Sequence, residues 1–240
     1  MVVILKKYGL LLKPQNILLF SRSFLPWGSA ATLVCFMIGT LWGLALTPAD
    51  YQQGNLVKIM YVHVPASWGA LAIYTLMAIC SAAGLILRMP LYFYATQSLA
   101  PIGASFCFLS LVTGSLWGKP TWGAWWVWDA RLTSMLILFF LYLGYLNLVH
   151  ILDQNKDWTT PSLMVVLGWI NIPIIKWSVD WWYTLHQPAS LLRLAKPAIH
   201  GQYLGPLFIM VAGFVFYTFT VGLWRLCLMI YQRRKGGEGF

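Results

Sequence analysis

The sequence predicts an all-α integral membrane protein, a bundle of six transmembrane helices carrying three functional loops on its outer face. Three observations point there. The 240 residues are 60% hydrophobic and only 9% charged, with a mean hydropathy of +0.70, values that a water-exposed globular surface does not accommodate. Six segments supply the about 20 mainly apolar residues needed to cross a hydrocarbon layer of roughly 30 Å. When these segments are laid out alternately, most lysines and arginines fall on one side, as the positive-inside bias requires.

The opening MVVILKKYGLLLKPQNILLF has a basic start and apolar runs, but Lys13, Pro14, Gln15 and Asn16 interrupt it and no small-residue cleavage pattern follows. Residues 1–23 therefore read as a cytoplasmic or interfacial amphipathic segment. Spans are expected at about 24–46, 62–87, 92–117, 132–152, 160–178 and 203–230, with a cytoplasmic tail over 231–240. The fifth span, around LMVVLGWINIPIIKW, is interrupted by Asn171, Pro173 and Lys176. Its C-terminal half is expected to be irregular where protein covers it, and five or seven spans are the alternatives. RMP at 88–90 and DQNKDW at 153–158 read as short inner connections, whereas 47–61, 118–131 and 179–202 are longer, face outward and hold most of the unusual residues. With no internal repeat of the inverted-transporter kind, residues 1–240 form a single membrane domain.

An inner N-terminus places Lys6, Lys7, Lys13, Arg22, Arg88, Lys156, Arg225, Arg233, Arg234 and Lys235 in the cytoplasm, and Lys58, Lys119, Arg131, Lys176, Arg193 and Lys196 outside. The net charge of +10 then follows from membrane orientation, with no nucleic-acid partner implied. Cys35, Cys80, Cys107 and Cys227 each fall within an expected span, without a C-x-x-C pair or a C-x-x-C-H haem attachment site. They read as packing residues, which argues against a thiol oxidoreductase and a covalent c-type cytochrome. Phosphate-loop, zinc-protease and nucleophile-elbow motifs are absent from the sequence, so no enzyme is expected and any ATPase motor belongs to another chain. None of the six acidic residues sits in mid-span, which disfavours a proton relay.

The stretch WGKPTWGAWWVWDARLTS crowds Trp117, Trp122, Trp125, Trp126 and Trp128 ahead of Asp129 and Arg131. An interfacial belt would spread such rings around the protein; one connection holding five suggests a platform for a flat ligand. Asp129 suits an N-cap for the fourth span, and capping does not prevent it from orienting Arg131 or a ligand group. Arg131 either snorkels to the interface or holds an anion. His63, in YVHVPASW, precedes Pro65 and is expected in the first turn of the second span, while His186, in WWYTLHQP, lies in the third outer loop. His200 reads as part of a turn into the sixth span and His150 falls at the inner end of the fourth. Interfacial histidines are often only hydrogen-bonded, but two facing imidazoles, an indole platform and outer cations fit a haem. Its iron accepts axial histidines, its macrocycle offers flat faces to rings, and Arg131, Lys58 and Lys119 are available for its propionates.

Taken together, these motifs resemble the tryptophan-rich WWD signature of the cytochrome c maturation protein C family, also called haem exporter protein C, over roughly residues 25–230. The resemblance implies a haem delivery protein of the bacterial inner membrane, with both termini cytoplasmic and haem b held transiently by two histidines at the periplasmic face. By motif, His63 and His186 become the iron ligands, and Trp117, Trp122, Trp125, Trp126, Trp128 and Asp129 the platform. Asp50, Gln53 and Lys58 match the first-loop pattern; the family often has arginine at the last position, which can form a bidentate clamp that lysine cannot. Implied partners are a periplasmic haem chaperone, a small single-span subunit, the two components of an ABC transporter, and membrane lipid. Two other classes compete with this reading. A membrane b-type cytochrome exchanging electrons with quinone would bury its histidines within spans, and a small-solute transporter would use the indoles as a gate.

Overall fold

The computed structural model describes residues 13–152, 157–182, 184–186 and 199–235. They form helices α1 (Pro14–Leu41), α2 (Met60–Leu87), α3 (Pro90–Trp122), α4 (Ala130–Leu152), α5 (Thr159–Gly168), α6 (Asn171–Trp181) and α7 (Gly201–Lys235). A π-helical turn, Trp42–Leu46, extends α1, and a 3₁₀ turn, Asn55–Ile59, leads into α2. Six helical segments are long and apolar enough to cross a membrane, α5 and α6 together making the fifth. Among the described residues there is no β-strand, only an isolated bridge between Asp50 and Gly54.

Local chemistry sets the helix ends. Pro14 and Pro90 open α1 and α3, where a missing N–H costs nothing because it would have no intrahelical partner. The first helix therefore begins at Pro14 instead of near residue 24, and the polar break at Lys13 to Asn16 is a helix start. Residues 1–12 lie outside the described residues, as do Lys156, Arg193, Lys196 and most of the expected third outer loop. Arg88, left-handed at φ 53°, ends α2, and Met89 is extended, as a residue before proline must be. Gly123, at φ 80°, ends α3.

In a bilayer no hydrophobic force draws helices together, so close backbone approach and buried hydrogen bonds must. The α2–α3 seam is correspondingly small-sided: Ala66, Ala70, Ala78, Ser81 and Gly84 from α2 are buried beside Ala100, Gly103, Ala104 and Cys107 from α3. Aromatic rings fill the gaps left by glycines, Phe106 over Gly69, Phe93 over Gly84 and Tyr142 over Gly103. The Tyr142 hydroxyl donates to the Ala70 carbonyl at 2.7 Å, and the Trp169 indole to Thr75 Oγ1 at 3.2 Å. Helix α1 lies on α7 along Ser21, Gly28, Thr32 and Gly39. All four cysteines are free, and Cys107 Sγ donates to the Met135 carbonyl at 3.5 Å, which fits the packing role expected of them.

Two further sequence expectations are corrected. The C-terminal half of the fifth span is not irregular: α6 is helical to Trp181, and the break falls at Trp169–Ile170. Pro173 has no N–H to give the Trp169 carbonyl, which accepts the Ile172 N–H at 2.9 Å instead; a proline in the first turn of a new helix is well tolerated. Asn171 Nδ2 donates to the Ser134 carbonyl at 2.8 Å, anchoring that turn to α4. Second, the connections at 47–61 and 118–131 are shorter than expected, because the 3₁₀ turn starts at Asn55 and α3 runs on to Trp122. Pro65 consequently lies inside α2, past its first turn.

Candidate functional site

One end of the bundle holds a cavity of about 510 Å³, within the roughly 300–1,000 Å³ usual for small-molecule sites. Its floor is apolar: Val64, Trp68 and Leu71 come from α2, Leu111 from α3, Leu132 and Met135 from α4, and Ile175 from α6. Its rim is polar, with Asp50, Gln53, Arg131, Lys176, His186 and His200. His63 and Trp117 line it as well. His150, at the far end of α4, is about 30 Å away by helical rise.

His63 projects from α2 toward α3. Its Nδ1 lies 3.1 Å from the Ser110 carbonyl oxygen and 3.1 Å from the Thr113 hydroxyl. A carbonyl can only accept, so Nδ1 carries the proton and Nε2 keeps its lone pair. Gly114 leaves room for the ring, since a Cβ there would sit 3.0 Å from His63 Cε1. The Trp117 indole meets the imidazole edge-on, centroids 5.9 Å apart at 88°, and donates from Nε1 to Gln53 Oε1 at 2.9 Å. Gln53 is placed in turn by Asp50, whose Oδ1 accepts the Gln52 and Gln53 amides, both at 2.9 Å. Gly54 closes this turn at φ 58°, a conformation that favours glycine. Asp50 and Gln53 thus position Trp117 against His63 besides lining the cavity.

His186 repeats the arrangement from an unrelated segment. Its Nδ1 lies 3.1 Å from Asp129 Oδ2, its backbone N–H donates to Thr184 Oγ1 at 2.9 Å, and the Trp122 ring packs edge-on at 4.8 Å. The other oxygen of the buried Asp129 carboxylate accepts the Leu132 N–H at 2.7 Å and caps α4. One carboxylate thus caps a helix and holds a histidine. Burial works to raise the Asp129 carboxyl, but the Leu132 amide and the His186 ring outweigh it and keep its pKa below the ordinary value. Burial holds His186 below its ordinary 6.5, with Asp129 opposing. A neutral imidazole beside a carboxylate donates from Nδ1 and presents the Nε2 lone pair. Among the described residues, neither Nε2 has another hydrogen-bond partner.

Arg131 reaches the rim from the first turn of α4. Its Nη2 donates to the Lys176 carbonyl at 3.4 Å, while its buried Nε has no partner among the described residues. The other expected residues are not brought to the cavity. Lys58 Nζ donates to the Leu44 carbonyl at 2.8 Å and does not line the wall. The left-handed turn at Gly123 divides the indoles, leaving Trp117 and Trp122 on α3 against the two imidazoles. Trp125 and Trp128 are 56% and 75% exposed, and Trp126 packs on Trp128 at 5.5 Å; none of these three lines the cavity. Lys119 wraps the same turn, its Nζ donating to the Gly123 carbonyl at 3.0 Å. Sequence reasoning missed Ser110, Thr113 and Gly114, which carry no motif, gave no role to Trp68 although it closes YVHVPASW, and assigned none to Lys176 and His200.

The family described as heme exporter protein C matches residues 7–238. The chain belongs to the haem exporter protein C family. Its relatives include the heme exporter protein C of Bradyrhizobium diazoefficiens, 45% identical over 225 residues that cover 93% of this chain and 85% of the relative. That of Escherichia coli K12 is 44% identical over 216 residues, covering 88% and 86%. A putative cytochrome c biosynthesis ccmC-like mitochondrial protein of Marchantia polymorpha is 44% identical over 211 residues, covering 83% and 90%. For this haem exporter protein C family member, the matched span contains all six membrane-crossing segments and every site residue named above. The family expected from the WWD stretch is the family found.

Proposed function

We propose that this chain holds haem b between His63 and His186 at the periplasmic face of a bacterial inner membrane and delivers it to a periplasmic haem chaperone in cytochrome c maturation. It works within an ABC-transporter-linked complex, with the transporter's two components and a small single-span subunit as partners. The haem exporter and cytochrome c biosynthesis names of its relatives support the cargo and its destination.

One observation carries the reading: two histidines from remote segments converge on one cavity, each with Nδ1 engaged by an acceptor and Nε2 left as a lone pair. Among the described residues no group of three or more His, Cys, Asp or Glu could hold a bare metal ion. Two imidazoles suffice for an iron that arrives with four porphyrin nitrogens. The apolar floor accepts a macrocycle, and the unpartnered donor of Arg131 suits a propionate. His63 is fixed between two helices, whereas His186 lies beyond the end of α6 with its side chain 20% exposed. A chaperone ligand can therefore displace His186 from outside while His63 keeps its grip, and the cargo leaves by ligand exchange.

Titrating ferric haem into the purified chain in lipid nanodiscs tests this. The expected result is one-to-one saturation with a low-spin, six-coordinate spectrum that transfers to added chaperone. Non-saturating, high-spin uptake would reject the proposal. The pH profile follows from His186. Its folded-state pKa lies below 6.5, so on acidification the unfolded chain takes up a proton that the folded site refuses, and the site loses stability progressively as pH falls below about 6.5. Neutral imidazole remains available through that window, so half-release of haem is expected below pH 6.5 and not above it.

A bulky side chain at position 114 is a second check. Gly114→Leu is expected to push the His63 ring out of line and remove the low-spin spectrum, with the size-exclusion profile and helical content unchanged. A normal low-spin spectrum in this variant would contradict the placement of His63.

A further inference from the structure

We infer that Arg131, Lys176 and His200 form a carboxylate-binding arc on the cavity rim that seats the two propionates, with His200 acting as a hydrogen-bond donor and not as an iron ligand. The inference rests on the haem reading above and adds which edge of the tetrapyrrole faces out.

The three side chains come from α4, α6 and the start of α7, and all line the same cavity. A third imidazole beside two others invites assignment as a spare ligand, but its bonding says otherwise. His200 occupies the N-cap of α7: its Nδ1 accepts the Gln202 N–H at 3.4 Å and its carbonyl accepts the Tyr203 N–H at 3.1 Å. A ring nitrogen that accepts carries no proton, so the proton of the neutral ring sits on Nε2. This is the reverse of His63 and His186, whose Nδ1 atoms donate. Those two rings offer lone pairs suited to a metal; His200 offers an N–H suited to an oxygen.

The cations beside it have donors to give. Arg131 has one N–H on the Lys176 carbonyl and an unpartnered buried Nε. No described hydrogen bond or ion pair engages the Lys176 ammonium. The Asp129 and Asp180 carboxylates are near enough to act on the Arg131 charge, but among the described residues no acid forms an ion pair with Arg131 or Lys176: Asp50 holds the Gln52 and Gln53 amides, and Asp129 holds Leu132 and His186. The N-terminal end of the α7 dipole adds partial positive charge on the same side. The same cavity is lined by Trp68, Leu71 and Met135, which lie farther along α2 and α4 than His63 and Arg131 do. An amphiphilic tetrapyrrole is sorted by that contrast, its dicarboxylate edge toward the rim and its hydrocarbon edge toward the floor.

The test compares ferric haem with its dimethyl ester, which keeps the iron and the ring and loses both carboxylates. The wild-type chain is expected to prefer the free acid. Lys176→Ala combined with His200→Ala is expected to erode that preference roughly five- to tenfold, as two partly solvated contacts are lost, while the ester affinity and the low-spin bands stay unchanged. Lys176→Arg is expected to keep the preference. An unchanged preference in the double variant overturns the arc, and loss of the low-spin spectrum in His200→Ala alone overturns the donor role. If the wild-type chain binds neither compound, the haem reading itself has failed; if it binds both equally, only the arc has.

Discussion

Replacing both His63 and His186 by alanine is expected to abolish low-spin haem binding and leave the bundle folded. His63 lies between α2 and α3 at Ser110, Thr113 and Gly114, toward the end of the seam whose spacing Ala66, Ala70 and Ala104 set, and His186 lies outside that seam. Their removal deletes the donor set and opens space only where the cavity already lies. Each single variant is expected to lower affinity by more than the roughly 10–100-fold typical of losing a partner behind a ligand. The two should then differ in their response to free imidazole. His63→Ala leaves a hole walled by Ser110, Thr113 and Gly114, which added imidazole can fill to restore the low-spin bands. His186→Ala exposes its coordination position to solvent, so imidazole is held less firmly there. Absorption spectra at matched haem concentration read all four proteins, and a wild-type spectrum in the double variant would remove the basis of the proposed function.

Asp129→Asn is expected to cost haem affinity roughly 10–100-fold with little loss of stability, and Asp129→Ala to cost both. Asparagine caps helices as well as aspartate does, so its Oδ1 can keep the Leu132 amide. The atom then facing His186 is an NH₂ group, which donates and cannot accept from Nδ1. The imidazole must transfer its proton to Nε2 or turn away, and in either case the lone pair no longer faces the iron. Alanine additionally removes the cap, worth about 1 kcal/mol. Thermal unfolding beside haem titration separates the two effects. Equal affinities for wild type and the asparagine variant would show that Asp129 serves α4 alone.

The membrane architecture was legible because the length and polarity of a span are local properties of composition, and alternation then assigned the long connections to one end. Counting spans put His63 and His186 on one side and family likeness singled them out as ligands, whereas their convergence through α2, α4 and the segment after α6 is a property of the packed bundle. Other features were hidden for identifiable reasons. Which indoles reach the cavity depends on where α3 ends, and that is decided by a single left-handed residue, Gly123. The direction of Lys58 depends on the Leu44 carbonyl, in the π-helical turn that follows α1. Ser110, Thr113 and Gly114 look like ordinary helix residues until His63 is seen opposite them. Pro173 looked like a breaker and lies in a helix start instead, because the break at Trp169–Ile170 had already released its neighbours from the preceding turn.

At the Trp169–Ile170 break the backbone passes from α5 to α6 through i→i+3 bonds, Ile170 to Leu167 at 3.2 Å and Ile172 to Trp169 at 2.9 Å, a poorer geometry than the regular helical ladder, so α6 takes part of its alignment from the side. Three hydrogen bonds tie the segment to the N-terminal stretch of α4 and its cap: Ser134 takes Asn171, Arg131 reaches Lys176, and Asp129 takes His186. That stretch acts as a splint, strapped to the lower half, middle and far end of the segment bearing the outer histidine. A tilt of α4 at this point would swing the cation, the carbonyl anchor and the imidazole as one rigid arm, whereas His63, mounted on α2, would stay behind.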